Sequence, residues 1–203
     1  SGNGNDGTVN GATLAADRNG GSDKAYSFDG NDFIVASNSN LPQGATSRTL
    51  SLWLKADARS SGINVVSQWG AGGKNKAFGV FLEGSQFRGG IYQNDVNSQI
   101  INDSKWHQVI LLYEKNKILL FVDGNLVASR NADAETAGTD LFLGKSVESH
   151  FAYLYYGQID DVRIYNRALS EAEVAALYEL EKPKAKPGDL LWSFELGDKT
   201  SSP

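Results

Sequence analysis

Apolar and polar residues alternate along most of this chain, in short runs separated by glycine, asparagine and aspartate. A period of two is typical of β-strands, because successive side chains point to opposite faces. Many short strands with such turns between them predict an all-β fold, an antiparallel two-sheet β-sandwich. The predicted strands are Ala25–Phe28, Phe33–Ala36, Leu50–Lys55, Ile63–Gln68, Phe78–Leu82, Phe87–Tyr92, His107–Glu114, Lys117–Val122, Asn125–Arg130, Asp140–Leu143 and Gly157–Tyr165.

Turn and capping residues mark where these elements are joined. Asp123-Gly124, between two apolar runs, predicts a tight hairpin, because the favoured turn needs positive φ. Residues 114–117 indicate a second, less sharply defined hairpin. Ser170 followed by Glu173 has the pattern of a capping box and predicts one short C-terminal helix from Ser170 to Leu180.

Composition excludes several classes of function. The chain has 203 residues, enough for one large sandwich, and it contains no cysteine, so it has neither a disulfide framework nor a thiol nucleophile. A net charge of −5 argues against nucleic acid and anionic membranes as partners. No apolar run approaches the ~18 residues that favour a membrane span, so we expect no membrane insertion.

Several runs resemble, in the same order, the laminin-G-like, concanavalin A-like jelly-roll family. Together they extend over roughly residues 2 to 178. The resemblance implies a jelly-roll sandwich whose closing strand is followed directly by a helix. The runs that carry it are Gly2–Val9, Tyr26–Ile34, Leu50–Lys55, Trp106–Val109 and Tyr156–Ser170.

One departure from the family concerns the ends of the chain. The usual first strand is missing before the Gly/Asn loop, yet a similar run, Leu190–Asp198, follows a Lys/Pro linker at residues 181–189. We therefore expect a jelly-roll domain at 1–180 and, at 190–203, a strand that completes the same sandwich or enters a strand-swapped neighbour. The chain then resembles a circularly permuted module, or one cut between half-repeats of a tandem array. The alternative is that this strand is the first strand of a following repeat.

The residues do not form a recognisable catalytic constellation. Glycosidases of this fold need two carboxylates on one strand face, but Asp160 and Asp161 are adjacent and point to opposite faces. Residues 133–135 have the right spacing but read as a loop. The two histidines, His107 and His150, have no evident nucleophile or acid partner. We therefore expect that the chain is not an enzyme.

The resemblance also implies a structural calcium ion. Calcium takes six to eight oxygen ligands from carboxylates, carbonyls and water. By resemblance Asp160 is the first candidate, with Asp29, Gly30 and Asp32 next and Glu195 contributed by the displaced strand. The alternative for residues 29–32 is an ordinary turn, since Asp-Gly-Asn-Asp forms one without any ion.

Sugar binding needs flat aromatic faces and polar side chains that reach hydroxyls. Arg88 has two possible roles, pairing with a cross-strand carboxylate or binding the carboxylate of an acidic sugar. Trp69 and one or two of the clustered tyrosines are equally open to a core role. The predicted ligand-binding residues are Trp69, Arg88, Tyr92, His150, Tyr153, Tyr155 and Tyr156.

The resemblance implies a non-catalytic carbohydrate-binding, lectin-like module of a secreted or surface bacterial protein, stabilised by calcium. Its partner would be a polysaccharide or other glycan. The alternative is a structural or protein-binding spacer in a tandem cell-surface adhesin. An exposed aromatic cluster beside polar groups favours the first function, and a second apolar face favours a protein partner.

Overall fold

The computed structural model describes residues 6–37, 40–57, 62–100, 103–138, 140–148 and 155–184. These residues form two seven-stranded antiparallel sheets and one helix. Sheet I has the order β1 (Thr8–Asn10), β4 (Phe33–Ser37), β13 (Asp140–Leu143), β6 (Ile63–Gly70), β7 (Ala77–Glu83), β8 (Gln86–Ile91) and β9 (Asn94–Ile100). Sheet II has the order β12 (Asn125–Asn131), β11 (Lys117–Val122), β10 (Trp106–Glu114), β5 (Arg48–Ala56), β14 (Tyr156–Tyr165), β3 (Ala25–Asp29) and β2 (Thr13–Ala15).

The predicted strands are confirmed, with bounds that differ by a few residues. Three strands have no counterpart in the prediction, β1, β2 and β9. All three lie at sheet edges. β1 and β2 are only three residues long, and the sequence of β9 is mostly polar, Asn-Asp-Val-Asn-Ser-Gln-Ile. Edge strands need no apolar alternation on a covered face, so the pattern that reveals the other strands is weak in these.

The hydrophobic core lies between the two sheets. Alternate residues of β5, among them Leu50, Leu52 and Leu54, are fully buried there. Phe78 and Val80 of β7 meet them from sheet I and are also fully buried. The residues between these positions therefore form the outer faces of the sheets.

Both predicted hairpins are present in sheet II. Asp123 and Gly124 have φ of 49° and 77°, the left-handed pair that a two-residue hairpin requires. Lys115 and Asn116 have φ of 49° and 57° and form the turn between β10 and β11. Sharp turns at both ends of β11 fix the register of this side of the sheet.

The single helix, α1 (Glu171–Glu181), covers part of the outer face of sheet II. The capping box is confirmed: Oγ of Ser170 accepts from the backbone N–H of Glu173 at 3.3 Å, and Oε2 of Glu173 accepts from that of Ser170 at 2.8 Å. Val174 is fully buried against Ile110 and Phe121 of the sheet. The outer face of sheet II is thus partly buried by the chain itself.

The run Leu190–Asp198 and the end of the linker lie outside the described residues. The domain bounds and the completing strand therefore stay predictions.

We expect Ser170→Ala to lower the free energy of unfolding by about 1 kcal/mol, because the N-cap acceptor is lost. Denaturant unfolding measures this. Ser170→Thr keeps the hydroxyl and is the matched control, with a smaller expected loss. Equal losses in the two variants would contradict a capping role for the hydroxyl.

His107 lies between two carboxylates at the start of β10. Its Nδ1 is 2.7 Å from Oδ2 of Asp123, and its Nε2 is 3.1 Å from Oδ1 of Asp103. Burial lowers the pKa of His107, but hydrogen bonds and charges of Asp123 and Asp103 outweigh it, so the pKa is raised above its ordinary 6.5. The protonated imidazole therefore stabilises the folded state.

This stabilisation is fully present below pH 6.5 and is lost as the pH rises through the higher folded pKa. We expect His107→Gln to be most destabilising at acid pH, with the difference from wild type shrinking as pH rises. Unfolding measured across the pH range checks this. Asp103→Asn should move the loss closer to pH 6.5, and a pH-independent difference would show that the imidazole's charge contributes nothing.

Candidate functional site

A groove lies on the outer face of sheet I, opposite the sheet that carries the helix. Its cavity volume is about 80 Å³. This is below the ~300–1,000 Å³ that is usual for pockets that enclose a small ligand, so the groove can hold only part of a ligand. Most of its lining is apolar, with a few charged and amide side chains among the apolar ones. The lining residues are Ile63, Val65, Gln68, Ala77, Phe81, Arg88, Tyr92, Asp95, Ser146, Val147 and Glu148.

The floor of the groove is flattened by two glycines. Gln68, Gly79, Gly90 and Asp95 are successive cross-strand neighbours on β6, β7, β8 and β9. A Cβ atom at Gly79 would lie 2.5 Å from the carbonyl oxygen of Ser67, and one at Gly90 would lie 2.6 Å from Cα of Asp95. Neither position accepts a side chain, so the row stays flat between a glutamine and an aspartate.

One wall of the groove is a loop held down by Gln68. Its Oε1 accepts from the backbone N–H of Val147 at 3.0 Å and lies 3.4 Å from Oγ of Ser146. Gly144 is tied to the same strand by a bond from its N–H to the carbonyl of Val66 at 3.0 Å. Because Oε1 is engaged by the loop, the amide N–H donors are what Gln68 offers to the groove.

Two aromatic residues contribute apolar surface. Phe81 lies on β7, directly opposite Arg88 of β8, and is almost completely buried. Tyr92 follows β8 and is half-buried. The backbone N–H of Tyr92 donates to Ala77 at 2.9 Å, and its carbonyl accepts from Asn75 at 3.1 Å. Tyr92 is therefore held in place by backbone contacts on both sides.

Arg88 occupies the groove between two carboxylates from the neighbouring strands. Its Nη1 donates to Oε2 of Glu83 at 3.0 Å, and its Nη2 donates to Oδ2 of Asp95 at 2.5 Å. Burial by itself would lower the pKa of Arg88, but Asp95 and Glu83 together raise it. Burial also raises the pKa of Asp95, an effect that the charge of Arg88 opposes. The sequence had left this cross-strand pairing open, and the structure shows it.

Of the predicted ligand-binding residues, the structure brings Arg88 and Tyr92 into one groove. It does not bring Trp69 or Tyr155 there, since both are fully buried in the core. Nε1 of Trp69 donates to the carbonyl of Pro42 at 3.2 Å, and the hydroxyl of Tyr155 donates to the backbone carbonyl of Lys55 at 3.0 Å. Their burial does not agree with the prediction that these rings contact a ligand.

The other predicted tyrosines and the histidine are placed elsewhere or not described. Tyr156 begins β14 of sheet II and packs on Gly30, where an added Cβ would lie 2.0 Å from its Cζ. It therefore lies on the other sheet from the groove. His150 and Tyr153 lie outside the described residues.

Nine lining residues of the groove are not among the predicted ligand-binding residues: Ile63, Val65, Gln68, Ala77, Phe81, Asp95, Ser146, Val147 and Glu148. Period-two alternation could have found the strand residues among them, because the buried positions of β7 and β8 leave Phe81 and Arg88 on the outer face. No local pattern could have found the loop residues 146–148. They reach the groove because Gln68 and the backbone bond of Gly144 hold their loop against β6.

The calcium ligands predicted by resemblance, as far as the structure describes them, lie at two places along β14 and its neighbour β3. Asp160, the first candidate, is paired with a side-chain cation: Nη1 of Arg18 lies 2.7 Å from its Oδ2 and 2.8 Å from Oδ2 of Asp161. Oδ1 of Asp160 accepts from the backbone N–H of Asp161 at 2.8 Å. Both carboxylate oxygens of Asp160 are therefore engaged by protein groups.

Asp29 ends β3, the strand that pairs with β14, and Asp32 follows it in the turn to β4. Tyr156 pairs with Asp29, so Asp160 is four residues further along β14, on the order of 13 Å away. Oδ2 of Asp32 accepts from the N–H of Asp29 at 2.9 Å, as in an ordinary aspartate turn. Glu195 lies outside the described residues, and within the described ranges no three acidic, histidine or cysteine side chains are grouped as a metal site. Calcium binding by the chain stays a prediction.

Arg18 joins three distant parts of the fold. Besides Asp160 and Asp161, its Nε donates to the carbonyl of Glu181 at the end of α1 at 2.7 Å. Its guanidinium carbon lies 4.7 Å from the centre of the Trp53 ring. The carboxylate of Glu181 accepts from Nε1 of Trp53 at 2.9 Å. We call these residues, together with Arg163, whose Nη1 lies 2.5 Å from Oε1 of Glu181 in an ion pair, the Arg18 network.

Comparison with known proteins supports the fold seen here. The family model described as the concanavalin A-like lectin/glucanases superfamily, of laminin-G type, matches residues 28–175. No curated protein matches the chain significantly. Within the described ranges, no helix is long and apolar enough to cross a membrane.

Solved structures with a similar fold include three bacterial toxin domains. The binding domain of Paraclostridial Mosquitocidal Protein 1 has a TM-score of 0.69 and 14% identity, over 87% of this chain and 48% of that one. The botulinum neurotoxin serotype D binding domain has a TM-score of 0.65 and 13% identity, over 87% and 47%. The serotype G binding domain has a TM-score of 0.64 and 15% identity, over 88% and 47%. This chain spans about half the length of those domains, and at such identity the likeness shows the fold alone.

We expect Arg18→Met to lower the free energy of unfolding by about 3 kcal/mol at neutral pH, because the buried Asp160 loses its cation while Asp161 keeps Arg163. Burial and the charge of Asp161 already raise the pKa of Asp160, and Arg18 opposes them. Without Arg18 the pKa of Asp160 rises further, so the loss should shrink as the pH falls. Chemical unfolding at several pH values measures this.

The control is a double-mutant cycle with Asp160→Asn. We expect Asp160→Asn to recover part of the stability lost in Arg18→Met, since the unpaired charge is gone. If the two effects simply add, Arg18 and Asp160 are not coupled, and the network is not the source of the stability.

Proposed function

Because the chain belongs to the concanavalin A-like lectin/glucanases superfamily, we propose that it is a non-catalytic carbohydrate-binding module, with its glycan site in the groove on sheet I. We further propose that it works outside the cell, as part of a secreted or surface bacterial protein. Its partner in this proposal is a polysaccharide or other glycan.

The observation that carries the proposal is the combination of surfaces within one groove. A sugar ring presents C–H groups on its faces and hydroxyls around its edge, so its site needs apolar surface flanked by donors and acceptors. Tyr92 and Phe81 supply the apolar surface, and Gln68, Arg88 and Asp95 supply the polar atoms. The glycine row between Gln68 and Asp95 carries no side chain that would stand between these polar groups.

The groove is also held in shape by its own contacts. The backbone of Tyr92 is fixed by two hydrogen bonds, and the loop wall is fixed by Gln68. A site whose backbone is preformed loses less freedom on binding, which raises affinity for a weakly apolar ligand such as a sugar.

The arrangement of carboxylates supports binding rather than catalysis. Glycoside hydrolysis needs one carboxyl group free to donate a proton and a second free to attack or to activate water. In the groove, Asp95 and Glu83 both bind the same guanidinium. His107, the histidine within the described ranges, is on sheet II between Asp103 and Asp123. The similar structures are named as binding domains, which is consistent with a binding role.

We expect Tyr92→Ala to weaken glycan binding about tenfold or more, because a sugar face loses its aromatic partner. A glycan array on the wild-type chain identifies the ligand, and calorimetric titration of that glycan measures the change. Leu14→Ala is the matched control, since Leu14 is an exposed apolar residue on β2 at the edge of the other sheet. It should leave binding unchanged.

The array is run in calcium and again in EDTA, which tests whether calcium is a structural cofactor of binding. A silent array from a folded chain would overturn the carbohydrate-binding proposal and favour a spacer or protein-binding module. Binding that survives Tyr92→Ala would place the sugar site outside this groove.

The alternative of a protein-binding module would need a second apolar face. Within the described ranges, the exposed large apolar residues are Val9, Leu14, Leu126 and Leu180, and these lie on separate elements rather than together on one face.

A further inference from the structure

The groove contains an arginine, Arg88, that is already paired with two carboxylates. Arg88 is opposite Phe81 on one side and Asn97 on the other. Glu83 comes two residues after Phe81 on β7, and Asp95 comes two residues before Asn97 on β9. Both lie on the same outer face as Arg88, so both carboxylates are diagonal to it. Long side chains reach each other across such diagonals. Arg88 is therefore held from both neighbouring strands at once.

Asp95 is the less accessible of these two carboxylates. Its side chain is 9% exposed, compared with 38% for Glu83 and 24% for Arg88. An acidic ligand that approached Arg88 would have to displace Asp95 and leave its charge buried without a partner. Removing one partner from a buried pair is strongly unfavourable, so this exchange opposes binding.

The second carboxylate of the pair acts in the same direction. Glu83 adjoins the groove through Arg88. A ligand carboxylate or sulfate would therefore enter beside two carboxylates, Asp95 and Glu83, that already share one guanidinium. Like charges at such distances repel, most strongly where water is partly excluded.

A neutral sugar meets none of these penalties. Arg88 has five N–H donors, and the two pairs use only some of them. Asp95 keeps acceptor positions on its carboxylate. Neighbouring hydroxyls of one sugar ring could accept from the guanidinium and donate to the carboxylate, with both bonds strengthened by charge and neither ion displaced.

We infer that the groove binds neutral glycans and excludes uronate and sulfated ones, and that Asp95 determines this selectivity by holding Arg88. This inference rests on the proposed carbohydrate-binding function and names the ligand class for the same site. It replaces the alternative role considered for Arg88, that of binding the carboxylate of an acidic sugar.

The test compares two variants with wild type on an array in which neutral glycans are paired with uronate-containing and sulfated counterparts. Wild type should bind neutral chains only, with little dependence on salt. Asp95→Asn removes the buried carboxylate and releases Arg88, so binding to uronate chains should rise about tenfold or more relative to wild type. Glu83→Gln removes the more exposed partner and should give a smaller gain, and it keeps the test valid if Asp95→Asn fails to fold.

Glu179→Gln is the matched control, because it makes the same change in net charge on α1 at sheet II, where Glu179 pairs with Lys182. It should leave selectivity unchanged. A gain for uronates in this control as large as in the Asp95 variant would mean that overall charge, rather than the hold on Arg88, sets the preference.

The outcomes separate the two proposals. If folded wild-type protein binds no glycan, the carbohydrate-binding function fails and the inference fails with it. If wild type binds uronate or sulfated chains as well as neutral ones, the function stands and the inference alone is overturned. A selective wild type whose preference is unaltered in both folded variants would likewise show that neither carboxylate determines selectivity.

Discussion

The sandwich depends on one buried cation, the guanidinium of Arg18. Arg18 lies in the loop after β2, and its guanidinium binds the two carboxylates of β14 and the last carbonyl of α1. It therefore joins three segments that no described strand ladder links directly to one another. At this point β14 shifts register against β5, and Asp161 has a φ of 47°. A non-glycine residue in that region is strained, and it persists where its surroundings hold it. The Arg18 network supplies those contacts at the irregular part of the closing strand.

The Arg18 network also determines which sheet face the helix covers and which it leaves open. Glu181 links Arg18, Trp53 and Arg163, and so fixes the end of α1 against sheet II. The helix then buries Val174 on the apolar part of that face. Sheet I has no such cover among the described elements, and its outer face carries the groove. The asymmetry between a sheet face covered by the helix and a sheet face that carries the groove thus follows from the packing of one short helix.

The sequence predicts much of the fold because strands with one buried face must alternate. The runs at β5, β7 and β10 show this, and Asp123-Gly124 and Ser170 predict a hairpin and a cap by local chemistry alone. Contacts made over long separations leave no such pattern. Arg18 lies 142 positions from Asp160, and nothing in its neighbourhood distinguishes it from a solvated loop arginine. Trp69 was ambiguous for a related reason, since an aromatic beside a glycine-rich loop suits a core or a binding site equally well.

Arg18 and Arg88 show two uses of the same chemistry. Each guanidinium is shared by two carboxylates, but the pairs differ in what surrounds them. The side chain of Arg18 is 8% exposed and is covered by Trp53 and α1, so its N–H donors end in protein atoms. Arg88 is 24% exposed, on the outer face of sheet I, which α1 does not cover. An ion pair with unused donors and acceptors on an open, flat surface is suited to hydroxyl groups, which can bond to both ions without separating them. The burial of each arginine, rather than its charge or its partners, therefore distinguishes a structural pair from a recognition surface.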